Sequence, residues 1–90
     1  MITKEELKEM ISEINSRIDE QYGISAPKVD LYSVPDDGLN GVDHICSLSL
    51  RRRAIVINHD ELCRMYPYMD KNSMKKLLAS IVFRTIKELV

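Results

Sequence analysis

An α+β domain, with an N-terminal and a C-terminal helix packed on a small sheet, is what these 90 residues are expected to form. Three observations point there. Apolar residues recur at helical spacing near both ends, short runs in the middle alternate with period two, and turn residues separate the runs. The expected order is helix, strand, strand, strand, short helix, long helix, with a sheet of three strands or four. The whole of 1–90 reads as a single domain, since so short a chain leaves no room for a second core.

The first helix is expected over Lys4 to Tyr22. Thr3 followed by Glu6 is a capping box, in which each side chain satisfies an orphan backbone donor. Leu7, Ile11, Ile14 and Ile18 share one face, Met10 and Tyr22 widen it, and Lys4, Lys8, Glu9, Glu13, Arg17 and Asp19 cover the other side. The stripe is under two heptads, too short for an isolated coiled coil, so it should pack on the sheet. Gly23 stands where a C-cap glycine belongs.

A half-buried strand follows over 28–34, where Val29, Leu31 and Ser33 alternate with Asp30, Tyr32 and Val34. The turn chemistry of 35–41 holds two of the three glycines. Asp36, Asp37, Asn40 and Asp43 there lack the alternation and closing glutamate of a calcium loop, which leaves a surface turn. A hairpin comes next. Turning at Arg51-Arg52 pairs Leu48 with Ile55, Cys46 with Ile57 and His44 with His59, and so gathers the most apolar partners on one face. Asn58 with Glu61 is a cap pattern for a short helix from His59 to Met65, and Pro67 ends it. Asp70 or Asn72 caps the last helix. Its middle, Leu77-Leu78-Ala79-Ser80-Ile81-Val82-Phe83, is apolar almost all round, as in a helix buried on several sides or docked on a partner, so a homodimer is one expectation.

Several segments resemble a known scaffold. Ile24-Ser25-Ala26-Pro27-Lys28-Val29-Asp30-Leu31-Tyr32 is similar to the first strand of zincin metallopeptidases and their small single-domain relatives. Ala54-Ile55-Val56-Ile57-Asn58, followed by a short helix, looks like the edge strand those proteins place beside the substrate cleft, and Leu77-Leu78-Ala79 resembles the lead into their zinc helix. The likeness covers about two thirds of the chain. That family needs His-Glu-x-x-His, two zinc ligands and a base on one helical face. This chain has Ser80-Ile81-Val82-Phe83-Arg84 at that register, and with Val90 as its last residue little chain follows for a third ligand. The resemblance therefore implies a metal-free, inactive derivative with no catalytic residues and no cofactor.

Lys and Arg number 13 against 14 Asp and Glu, a net charge of −1 that gives no general pull on nucleic acid or an acidic membrane. No apolar run reaches membrane-spanning length, the first residues lack a signal peptide, and two cysteines without one fit reduced thiols in a cytoplasm. Gly-x-Gly phosphate loops are absent.

The expected function is non-enzymatic protein interaction. The expected binding residues are Arg51, Arg52 and Arg53 at the hairpin tip, Tyr66, Tyr68 and Met69 between the last helices, and the strand 54–58, which as an edge could add a peptide. Arg64, Lys71, Lys75 and Lys76 could extend the arginines into a patch. Two alternatives belong to other classes. His44, Cys46, His59 and Cys63 are soft ligands that could hold a structural metal, although their spacing fits no common zinc module. The arginine tip could hold nucleic acid, but with one Phe and no Trp there is little to stack on bases.

Overall fold

The computed structural model describes residues 2–32, 45–49 and 53–89. Its elements are α1 (Lys4–Tyr22), β1 (Lys28–Leu31), β2 (Cys46–Ser49), β3 (Ala54–Ile57), α2 (His59–Met65) and α3 (Lys71–Leu89). The α+β architecture is as expected, with three helices and a three-stranded mixed sheet.

Local chemistry sets the helix boundaries. The Thr3 hydroxyl accepts from the Glu6 N–H at 3.1 Å, and the Glu6 carboxylate accepts from the Thr3 N–H at 3.1 Å, which completes the capping box. At the other end of α1, Gly23 takes φ 87 and ψ 169, and its N–H closes on the Asp19 carbonyl. That backbone region is nearly reserved for glycine. A Cβ at Gly23 would meet nothing within 4 Å, so substitution there isolates the backbone term. Gly23→Ala is expected to lower stability by at least about 1 kcal/mol, read as a urea-midpoint shift without a change in slope. An unchanged midpoint would show that the turn relaxes freely.

The sheet order is β1-β3-β2. β1 runs parallel to β3, with Val29 beside Ile55 and Leu31 beside Ile57. β2 runs antiparallel, with Cys46 opposite Ile57 and Leu48 opposite Ile55, the register expected of the hairpin. This order corrects one expectation, because 54–57 is the central strand and not an edge. The physical reason is written in its composition. Ile55, Val56 and Ile57 are all fully buried, so both faces of this strand are covered, as its continuous apolar run requires. With a neighbour on each side, β3 has no row of backbone groups left for an added peptide.

The two long helices, α1 and α3, meet over the sheet. Leu7, Met10, Ile11, Ile14 and Ile18 of α1 and Met74, Leu78, Val82 and Ile86 of α3 pack with Val29, Ile55 and Ile57 in one core. Lys71 lies near Glu6 and Glu9 (3.9 and 3.8 Å), Lys75 pairs with Glu13 (3.0 Å) and Arg17 covers Phe83, so α1 and α3 run side by side in the same direction. The all-round apolar middle of α3 resolves into a fully buried stripe with half-buried flanks. Phe83, on one flank, lies under Arg17 (4.8 Å to the ring centre) and beside Tyr22 (ring centres 6.4 Å apart). No described helix is long and apolar enough to cross a membrane.

Among the described residues β1 is an edge strand, and α1 closes it. The Asn15 side chain accepts from the Val29 N–H at 2.7 Å and donates to the Val29 carbonyl at 3.0 Å. Asp30 accepts from the next outward N–H, that of Leu31, at 2.8 Å. Side chains thus occupy the positions that a further strand would use.

Candidate functional site

The corner between α2 and α3 gathers most of the described residues singled out by sequence. Its frame is two helix caps. The Asn58 side chain accepts from the Glu61 N–H at 3.2 Å, and the Asn58 N–H is held by the Ile45 carbonyl at 2.8 Å. Asp70 caps α3 by accepting from the Ser73 N–H at 3.2 Å. Between them Tyr66 ends α2, its N–H on the Leu62 carbonyl, and the Met69 N–H turns back to the Tyr66 carbonyl. Tyr66 and Met69 lie half-buried against the core. Tyr68, at the tip, is 96% exposed, and Met65 in the last turn of α2 is 49% exposed. The sequence placed Tyr66, Tyr68 and Met69 here. Met65, which the sequence groups with Met69 and these tyrosines, lies on the outer side of a seven-residue helix that buries only Leu62 and Cys63.

His59 and Cys63 lie at the start of the same corner. Their side chains approach to 3.4 Å, and both reach the Ile2 carbonyl, His59 through Nε2 at 2.9 Å and Cys63 through Sγ at 3.7 Å. Donating to a carbonyl requires the proton on Nε2, so that nitrogen is not a base available to the thiol. Burial raises the Cys63 thiol above its usual range, and the Asp60 carboxylate pushes it further the same way. A neutral, buried thiol is a poor nucleophile. The pair ties the chain before α1 to α2 instead. His59 Nδ1 is buried without a hydrogen-bond partner among the described residues, 3.8 Å from an Asp60 carboxylate oxygen.

The other soft ligands do not join this pair. Cys46 faces α3, with Sγ 4.0 Å from the Thr85 hydroxyl, and burial raises its thiol too, partly offset by that contact. Both cysteines are free. His44 lies outside the described residues, as do Arg51, Arg52 and the carboxylates of 35–43. Among the described residues no group of three or more His, Cys, Asp or Glu side chains is placed to hold a metal ion.

Arg53 is described, exposed, and in the left-handed region at φ 52 as the chain enters β3. The patch expected to extend from the arginines is largely neutralised. Arg64 pairs with Glu61, Lys71 lies by Glu6 and Glu9, and Lys75 pairs with Glu13. Ser80 and Arg84, at the register where the zincin resemblance would put zinc ligands, are both exposed. No protein-family model, curated protein or solved structure matches this chain.

Two capping carboxylates, Glu6 at α1 and Asp70 at α3, titrate. Hydrogen bonds from Thr3, the backbone N–H foremost, hold Glu6 below the usual carboxylate range, and hydrogen bonds from Ser73, side chain before backbone, do the same for Asp70. A carboxylate depressed in the folded state stabilises above its unfolded pKa, about 4, and that contribution is lost as pH falls through the folded value. Stability is therefore expected to hold from neutral pH down to about pH 5 and to fall below it. The double variant E6Q/D70N should show a shallower acid decline in urea midpoint than the wild type. Identical declines would place the acid-sensitive groups elsewhere.

Proposed function

We propose that this chain is a non-enzymatic protein-interaction domain that docks a protein partner at the α2–α3 corner. The observation that carries this reading is Tyr68, almost wholly exposed at the tip of a turn held by the Met69 N–H on the Tyr66 carbonyl and by the Asp70 cap, with Met65 half-exposed three residues before it. A rigidly mounted tyrosine presents a large apolar ring and a polar tip at little entropic cost, which suits an interface anchor. The chemistry of His59 and Cys63 supports the non-enzymatic part, since the histidine is committed to a carbonyl and the thiol is buried. A metal-free derivative of the zincin scaffold is compatible with exposed Ser80 and Arg84, and two free thiols suit a cytoplasmic setting.

A photo-crosslinking residue in place of Tyr68, introduced in the native cell, tests the reading. A discrete adduct is expected, and Y68A and M65A should each weaken binding of the adduct's partner by about tenfold or more. An adduct with a second copy of this chain would assign the corner to a homodimer. No discrete adduct, or a partner held equally by Y68A/M65A, would overturn the proposal.

A further inference from the structure

The hollow between α1 and α3 is a second surface, built from other residues. It has a volume of about 340 Å³, with Met10 and Ile14 of α1 and Ala79 of α3 at its base. Met10, Glu13, Ile14 and Arg17 are spaced 3, 1 and 3 apart, the outline of a hole that accepts one side chain from a further helix. Ala79, the smallest lining residue, leaves the depression between the parallel helices.

The rim is strongly one-sided in charge. Three cations, Arg17, Lys75 and Lys76, line it against the single carboxylate of Glu13. Lys75 already holds Glu13 at 3.0 and 3.3 Å. Arg17 and Lys76 have no carboxylate within 4 Å among the described residues. Arg17 is also preorganised. Its guanidinium carbon lies 4.8 Å from the Phe83 ring centre, a cation–π contact that restricts the side chain without using its N–H donors. This local excess of two positive charges sits on a chain whose net charge is −1.

We propose that this hollow docks an acidic amphipathic helix of a protein partner, an aliphatic side chain entering over Ala79 while carboxylates on the flanking turns meet Arg17 and Lys76. The proposal does not depend on the Tyr68 corner. Charge complementarity selects the acidic partner, and the shape of the hole selects a helix over an extended strand.

The probe is a synthetic helix of about five turns, with leucine on one face and glutamate and alanine elsewhere, titrated into the labelled full chain and followed by NMR. Saturable shifts are expected at the Met10 and Ala79 methyl groups, weakening as salt is raised. The exposed pair R17E/K76E should weaken binding by at least about tenfold. A79L, which fills the hollow without altering charge, should abolish the shifts while the fold persists, and Y68A should bind the probe like the wild type. No saturable shifts at Met10 and Ala79, equal binding of the same helix with lysine for glutamate, unchanged binding in both variants, or shifts produced by an oligonucleotide and not by the peptide would each overturn the proposal.

Discussion

Replacing Ile55 with alanine is expected to destabilise the protein by about 2–5 kcal/mol, a large part of what a chain of this size holds in reserve. Ile55 is fully buried at the middle of the central strand, with Val29 beside it on β1 and Leu48 opposite it on β2. It is part of the core that α1 and α3 share, so the cavity left by truncation borders both helices and the neighbouring strands at once. Collapse around it is restricted, because β3 is pinned on both sides by its ladder. Ile55→Val removes one methylene and should cost only about 1 kcal/mol. Urea unfolding followed by far-UV circular dichroism measures both, since the chain has no tryptophan. A loss under about 1 kcal/mol for Ile55→Ala would mean that the sheet rearranges to fill the space.

The contrast between β3 and its neighbours shows what a single sequence can disclose. Boundaries set by nearby residues were legible. Thr3 with Glu6, Gly23, Asn58 with Glu61 and Asp70 each make the bond that their local pattern implies. The hairpin register was legible too, because a slip by one residue would turn Ile55 and Ile57 away from the core. Alternation alone does not place β3 between β1 and β2, since strand order depends on partners distant in sequence. Its unbroken Ile-Val-Ile run did carry the signal, as a strand covered on both faces.

The sites divide in the same way. Tyr68 could be found from composition and from its place between helices. The bond from His59 to the Ile2 carbonyl spans 57 residues and leaves no mark in either segment. Arg17 over Phe83 likewise depends on α1 and α3 being parallel neighbours, which follows from packing on the sheet and not from the pattern of either helix. The apolar surround of α3 looked like a surplus awaiting a partner. Most of it is consumed internally, by the sheet below and by Arg17 and Tyr22 at the side.

Asn15 carries the other large expected effect. It lies among Ile11, Ile14 and Ile18 on α1, where an apolar residue would fit the stripe, yet its amide serves the backbone of Val29 as a neighbouring strand would. Both functions of the amide are needed, since one group of Val29 donates and the other accepts. Asn15→Ala leaves both unsatisfied in a part-buried setting and is expected to lower stability by about 2–4 kcal/mol. Asn15→Asp is the sharper test. A carboxylate can still accept from the Val29 N–H, but it sets an oxygen against the Val29 carbonyl at the place of the 3.0 Å bond. The aspartate variant should therefore be much less stable than the wild type at neutral pH and recover partly in acid, where a protonated carboxyl can donate again. That pH dependence is opposite in sign to the decline expected from Glu6 and Asp70, so thermal melts at two pH values separate the effects. Loss of the amide also uncovers the outer edge of β1, and both variants should self-associate in proportion to the backbone they expose. Melting temperatures independent of protein concentration, with stability equal to the wild type, would show that water replaces the Asn15 amide at no cost and that α1 merely rests beside the strand.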